Sequence, residues 1–205
     1  MELIFVRHGR PQHIETSDGT PADPPLAETG VRQAIAMAEF LSEEAVDHIY
    51  SSPMIRAYQT AEPLSAALEL PINVREGLSE FDRNSTSYVP MEVLKETNRA
   101  AWERLASGSI GGSDGGISKW FNSAIQEVEV VVEQHPAERV AIICHGGVIN
   151  AYLASCLNFS YDSFMKFDVD YTSITRVLAS KAGHRSVHSI NERPHFRGRP
   201  DLLTS

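Results

Sequence analysis

An α/β fold, a three-layer α/β/α sandwich with a mostly parallel central sheet, is what this chain predicts. Three observations carry it. Short apolar runs alternate with helix-like stretches of ten or more residues, the pattern of strands joined by helical crossovers. Arg139–Cys144 is continuously apolar after its arginine, as in a central parallel strand buried on both faces. The most distinctive polar motifs follow the strand candidates, and sites in such folds lie at the carboxyl ends of strands.

The elements follow in order. Leu3–Val6 predicts a first buried strand. Thr29 to about Glu44 has helical spacing, with Val31, Ile35, Ala38 and Leu41 on one face and Thr29 as N-cap. His48–Tyr50 predicts a second strand. A helix is expected from Met54 to about Leu70, with Pro53 in its first turn and its end set by Pro71. Ile72–Val74 is a third strand, and one helix is expected from about Met91 to Leu105. Ser107–Ser118, rich in glycine and serine, predicts a flexible loop. Helices follow at Trp120 to about Glu133 and at Val148–Leu157, on either side of the Arg139–Cys144 strand. Ser173–Ala179 and Ser186–Ile190 predict a late strand pair. The polar tail after Asn191, with Arg193, Arg197 and Arg199, reads as a solvated end. No internal repeat is visible. Residues 1–205 read as a single domain with a lid-like insertion at about 82–120.

Composition narrows the function classes. The 205 residues are 42% hydrophobic and 22% charged, ordinary for a globular domain. Eighteen Lys and Arg against 27 Asp and Glu give a net charge of −9, which disfavours a nucleic-acid partner. Two cysteines, Cys144 and Cys156, are no disulfide framework and fit a reducing cytoplasm. No apolar stretch is long enough to span a bilayer, and no signal-like start is seen, so a cytoplasmic chain without a membrane partner is expected. His48, His135, His184 and His188 show no ligand spacing, and neither a metal nor another cofactor is expected. Cys144 reads as a core residue. The oligomeric state is open, a homodimer included.

Four segments carry chemistry. Arg7-His8-Gly9 stands at the exit of the first strand, where Gly9 lets the backbone turn. A guanidinium there neutralises a phosphoryl group and a neutral imidazole attacks it, although such a triplet alone also occurs by chance. Arg56 lies early in a helix after Ser51-Ser52-Pro53 and points back at the strand ends, unless it is an ordinary surface arginine. His145-Gly146-Gly147 opens a helix whose glycines admit a ligand and whose N–H groups suit an anion; the alternative is a tight turn with an ordinary histidine. Glu80 is the best placed general acid for a leaving oxygen, with Glu76 and Asp82 as rivals.

Together these segments resemble the histidine phosphatase superfamily, the phosphoglycerate mutase-like proteins. Arg7-His8-Gly9 resembles that family's defining motif. The stretch from Asp23 to Gly30 is similar to its D-x-P-L-T-x-x-G segment, with Ala27 for Thr. The run from Ser51 to Ala61 matches its S-S-P-L-x-R-A-x-Q-T-A segment almost residue for residue. Leu78-Ser79-Glu80, His145-Gly146-Gly147, Ser173-Ile174-Thr175 and Asn191 to His195 resemble later motifs, in order. The resemblance implies a phosphoglycerate mutase-like sandwich and a phosphohistidine cycle on a small phosphorylated substrate. His8 would be the nucleophile. Arg7, Arg56 and His145 would hold phosphoryl oxygens beside Gly9 and Gly146, and Glu80 would serve as acid and then base.

The chain departs from the family after Gly9. Arg10 and Pro11 follow, and Ile14 stands where many members carry a phosphate-binding Asn; His13 or Arg10 would have to complete the pocket. A mutase needs extra cations for a second phosphate. From Asn84 to Trp120, Lys95, Arg99, Arg104 and Lys119 are balanced by Glu92, Glu96, Glu103 and Asp114. That balance favours hydrolysis over a phosphoglycerate mutase-type transfer, and the intact set of catalytic residue types argues against a non-catalytic phosphate-binding module. Tyr88, Trp102, Trp120 and Phe121 are candidates for an apolar rim, or for core.

Overall fold

Side-chain alternation along the first strand, β1 (Glu2–Arg7), sends its two faces into different layers. Leu3 and Phe5 join Val128, Val131, Val148 and Tyr152. Ile4 and Val6 join Met37, Leu41, Ala57 and Leu64 on the other side. All four strand residues are fully buried. The computed structural model describes residues 1–106, 116–161 and 164–203. It shows the expected three-layer α/β/α arrangement.

The elements are β1, β2 (Ile14–Glu15), α1 (Glu28–Leu41), β3 (His48–Ser51), α2 (Ile55–Leu68), β4 (Ile72–Val74), β5 (Ser87–Tyr88), α3 (Met91–Thr97), α4 (Arg99–Ala106), α5 (Gly116–Gln134), β6 (Arg139–Cys144), α6 (Gly146–Cys156), β7 (Ile174–Ala179) and β8 (Arg185–Glu192). Sheet order is β4-β3-β6-β1-β7-β8. The first four strands in that order run parallel, and β7 and β8 complete the edge antiparallel. β2 and β5 form a separate two-stranded ribbon. In β6, Val140, Ile142 and Cys144 face one core and Ala141 and Ile143 the other, as a doubly covered central strand requires. Burial pushes the Cys144 thiol well up, so it packs as an inert apolar group.

Several local expectations are corrected. α1 begins at Glu28 after Ala27, so Thr29 is inside the helix and caps nothing. α2 begins at Ile55, two residues past Pro53. Its N-terminal amide is capped from outside, because Ile55 N donates to both Asp23 carboxylate oxygens at 3.1 Å. The single helix expected over Met91–Leu105 is two. At Asn98 the backbone leaves helical geometry (φ −148°), and its side-chain oxygen accepts the Ala101 N–H instead. Gly116–Ser118 are the first turn of α5. The rest of the expected loop, residues 107–115, lies outside the described residues. The tail is not simply solvated. His195, Phe196 and Leu202 are buried, with Phe196 and Leu202 packed on Ala36. No helix among the described residues is long and apolar enough to cross a membrane.

Charge ties the amino ends of β1 and β6 to the segment before β3 and to β7 and β8. Arg176 reaches Glu2 at 2.9 Å, Glu44 at 2.6 Å and Glu192 at 3.2 Å, while Arg139 reaches Glu2 and Glu44 at 2.7 and 2.8 Å. Burial acts to raise the Glu2 pKa, but hydrogen bonds from Arg176 and Arg139 outweigh it and leave it below 4.5. Removing Arg176 strands partly buried carboxylates. Arg176→Ala should therefore cost about 2–3 kcal/mol in denaturant unfolding, short of the loss for a fully buried pair. Glu2 contributes fully above its unfolded pKa, and the contribution fades as pH falls through the lower folded value. The deficit of the variant should accordingly shrink in acid.

Candidate active site

Strand register brings the site together. Arg7 pairs with Cys144 and Ser51 with Ile143, so β1, β3 and β6 end side by side. The ladder continues one residue further, with His8 N bonded to Cys144 O at 2.9 Å and Ser52 N to Ile143 O at 3.0 Å. His8, Ser52 and His145 thus emerge together, all buried. The two imidazole centroids are 5.1 Å apart.

His8 has a defined tautomer. Its Nδ1 lies 2.8 Å from Gly9 O, a pure acceptor, so Nδ1 carries the hydrogen and Nε2 the lone pair. Arg56 Nε points at that Nε2 from 3.3 Å. Burial, then Arg56 and Arg7, hold the His8 pKa well below 6.5, so the ring is neutral. Burial, then Arg56, His8 and Arg7, do the same to His145. His145 Nε2 meets Ser52 Oγ at 2.8 Å.

The two arginines are clamped. Arg7 Nη1 donates to Val169 O at 2.6 Å, and its guanidinium lies 4.1 Å from the Tyr171 ring centroid. Arg56, 1% exposed, lies 4.6 Å from the Tyr88 ring, 3.3 Å from Asp82 Oδ1 and 3.8 Å from Asp23 Oδ1. Even so, buried donors are left over. Arg7 Nε, Arg56 Nη1 and His145 Nδ1 have no hydrogen-bond partner. Buried polar atoms are normally paired. Three orphans on the residues around one neutral imidazole describe a seat for an anion.

Glu80 completes the group. Its oxygens accept Gly147 N at 2.8 Å and Phe81 N at 3.0 Å. Burial and then the neighbouring Asp82 raise its pKa to about 7, against the pull of those N–H bonds and of Arg56. The position depends on Gly147, because a Cβ there would stand 2.2 Å from Glu80 Oε1. Of the rivals, Glu76 is exposed and pairs with Arg83, and Asp82 is engaged with Arg56. Gly9 is needed for packing rather than for a special turn. A Cβ on it would meet Gly30 O at 2.6 Å, and its N–H bonds Thr60 Oγ1 at 2.9 Å.

All seven residues singled out from the sequence therefore lie in one region: Arg7, His8, Gly9, Arg56, Glu80, His145 and Gly146. Gly146 opens α6 beside Arg7, whose Nε would be 3.8 Å from a Cβ there. Ser52, Thr60, Gly147 and Asp23 stood inside recognised motifs without an assigned role. Tyr171, by contrast, carries no local signal. Arg10 turns to Glu92 at 3.1 Å, and the other Glu92 oxygen accepts the Tyr171 hydroxyl at 3.1 Å. His13 is exposed. Of the rim candidates, Tyr88 lies on Arg56, and half-buried Trp120 packs on Phe81 and Phe164 with its Nε1 bonded to Ser79 O, next to Glu80. Phe121 is core, packed on Phe164. Trp102 stacks with Lys95 and Arg99 on the helices after β5.

Comparison with known proteins agrees with this geometry. The model of a family described as "Histidine phosphatase superfamily (branch 1)" matches residues 3–193. The chain is 26% identical over 190 residues to phosphoglycerate mutase-like protein 4 of Arabidopsis thaliana, covering 84% of this chain and 83% of that protein. It is 27% identical over 185 residues to phosphoserine phosphatase 1 of Hydrogenobacter thermophilus, with 84% of each covered. A phosphoserine phosphatase mutant of Entamoeba histolytica in complex with phosphoserine shares the fold at a TM-score of 0.73. That pair is 23% identical over 95% of this chain and 98% of the other. A mycobacterial glucosyl-3-phosphoglycerate phosphatase structure with VO3 gives a TM-score of 0.75 at 20% identity, over 94% and 99%.

Inorganic phosphate should bind at the orphaned donors and raise the melting temperature. Arg56→Ala should weaken that binding by about 10- to 150-fold, the worth of one charge-assisted hydrogen bond. Calorimetric titration with phosphate checks it.

Proposed function

This chain belongs to branch 1 of the histidine phosphatase superfamily, and on that premise we propose that it is a metal-independent phosphatase. It hydrolyses small phosphomonoesters through a phosphohistidine on His8. One observation carries the reading: a neutral His8, its Nε2 lone pair facing Arg56, stands among buried nitrogens of Arg7, Arg56 and His145 that have no hydrogen-bond partner. A phosphoryl group supplies what those nitrogens lack.

The steps follow from the residues. His8 Nε2 attacks phosphorus while Arg7, Arg56 and His145 Nδ1 hold the non-bridging oxygens, at the start of α6 where Gly146 stands. The phosphorus–oxygen bond to the alcohol breaks, and Glu80, protonated up to about pH 7, gives its proton to the departing oxygen. The Glu80 carboxylate then takes a proton from water, whose oxygen attacks phosphorus; the phosphorus–nitrogen bond breaks and its electron pair returns to His8 Nε2. Inorganic phosphate leaves and neutral His8 returns. Gly9 fixes the His8 backbone against Gly30 and Thr60. Glu92, in the described part of the lid-like insertion, bridges Arg10 and Tyr171, whose ring lies on Arg7.

Hydrolysis is favoured over phosphate transfer between substrate positions because Arg10, next to the site, and two cations of the α3–α4 segment are already engaged. Arg10 pairs with Glu92, Arg99 with Glu103, and Lys95 stacks on Trp102. The phosphoserine and glucosyl-3-phosphoglycerate phosphatases among the relatives act on small phosphorylated organic molecules, and a substrate of that size class fits here.

Incubation with p-nitrophenyl phosphate and a panel of cellular phosphomonoesters, with EDTA, should release phosphate. His8→Ala should abolish that release. A trapped phosphoenzyme should be acid-labile and base-stable. Exchange between glycerate phosphates would instead show a mutase, and no turnover across the panel a binding module. The pH profile follows from the two shifts. His8 stays neutral down to well below pH 6.5, and Glu80 loses its acid proton near pH 7. For esters with poor leaving groups, kcat/KM should hold a plateau on the acid side and fall above about pH 7. Glu80→Gln should lower kcat by about 10²–10⁴-fold and remove that alkaline limb.

A further inference from the structure

The end of the sheet opposite His8 holds a second cluster. His48 begins β3, His135 follows α5, and Glu138 precedes β6. They are 87 and three residues apart in the chain, so no sequence spacing joins the first to the others. Pairing of β3 with β6 brings them together. One ligating atom from each lies within 4.8 Å of the other two. Glu138 Oε2 is 2.7 Å from His135 Nδ1 and 3.3 Å from His48 Nε2. The two imidazoles overlap with centroids 4.0 Å apart.

The cluster is held in place by its neighbours. Arg75 Nη2 donates to Gln134 Oε1 at 2.7 Å, and the Tyr50 hydroxyl lies 3.3 Å from that oxygen and 2.7 Å from His135 Nε2. The hydroxyl can accept or donate, so it pairs with either tautomer of His135. With Nδ1 protonated the ring donates to Glu138; with Nε2 protonated the Nδ1 lone pair is free to bind a cation shared with the carboxylate. His48 Nε2 is directed at the same oxygen.

We propose that His48 Nε2, His135 Nδ1 and the Glu138 carboxylate form a zinc site that pins the start of β3 to the turn between α5 and β6. Two imidazoles and one carboxylate are a donor set that zinc takes readily. Tetrahedral bonds of about 2.0–2.1 Å place ligand atoms about 3.3 Å apart. His48 Nε2 and Glu138 Oε2 stand at that spacing, whereas His135 Nδ1, at 2.7 Å from the same oxygen, has to draw back by about 0.6 Å when the metal enters. Tyr50 supplies the outer hydrogen bond that holds the His135 ring. Water takes the fourth position, on the exposed side of His48 and Glu138. The site is structural, remote from His8, and independent of the reaction proposed there.

Zinc titration of the chelator-treated full chain, read by calorimetry, tests this. One equivalent should bind. At free zinc 100-fold above the dissociation constant, the melting temperature should rise by about 5–10 °C. Co²⁺ should give tetrahedral visible absorption. His48→Gln and Glu138→Gln should each weaken binding at least tenfold and remove that absorption while keeping the circular dichroism of the parent. His8→Ala, which removes an imidazole from the other site, should retain the equivalent. Absence of binding overturns the proposal, as does an equivalent that survives in the His48→Gln/Glu138→Gln double variant. Loss of the equivalent in His8→Ala overturns it as well, by placing the metal at the other site.

Discussion

The parallel register of β1, β3 and β6 is the constraint on which the rest depends. A parallel ladder fixes which residues leave the sheet together. Here it sets Arg7 against Cys144 and Ser51 against Ile143. One residue later come His8, Ser52 and His145. A slip of one residue would turn each side chain to the opposite face and separate the two imidazoles. The apolar alternation of β1 and β6 prevents that slip, because both faces of both strands are buried in different cores. Hydrophobic packing therefore positions the chemistry, although no catalytic group takes part in it.

Burial then does the electrostatic work. Two guanidiniums lie beside two imidazoles in a site nearly closed to solvent. The imidazoles stay neutral because a third or fourth positive charge there would be desolvated and repelled. Burial also lifts Glu80 toward neutrality, with Asp82 adding to it. Asp82 and Asp23 partly offset the charge of Arg56 and keep it oriented, while the Tyr88 and Tyr171 rings cap the two guanidiniums. A neutral imidazole, buried nitrogens without partners and a carboxyl of raised pKa thus come from one cause, exclusion of water around opposed charges. The Glu80 carboxyl is further held by the Gly147 N–H at the α6 N-terminus.

How much of this was legible in the chain varies with the physical range of the signal. Continuous apolar runs announced the buried strands, because burial on both faces leaves few polar residues to misread. Arg7, His8, Arg56 and His145 were legible because each stands in a compact motif at a strand exit or helix start. Helix starts misled at Thr29, which reads as the cap of α1, and at Pro53, which reads as part of the first turn of α2, whose cap comes from Asp23, 32 residues upstream of Ile55. The tail misled because its polar composition hides Phe196 and Leu202, which find their pocket only on the folded α1. The aromatic candidates divided, Tyr88 standing on Arg56 and Phe121 joining the core on Phe164, because no local mark distinguishes a pocket wall from core.

The sequence by itself determined the α/β class, the strand and helix order, and the set of groups able to handle a phosphoryl anion. Those depend on hydrophobic period and on residues adjacent in the chain. Only the tertiary structure decided that Glu80 takes the Gly147 N–H while Asp82 turns to Arg56 and Glu76 to solvent, that Tyr171 covers Arg7, and that Arg10 is answered by Glu92. It also decided that His48, His135 and Glu138 share one spot. The reason is common to all of them: pKa, tautomer and pairing depend on burial and on neighbours brought in from distant segments, and chain spacing encodes neither.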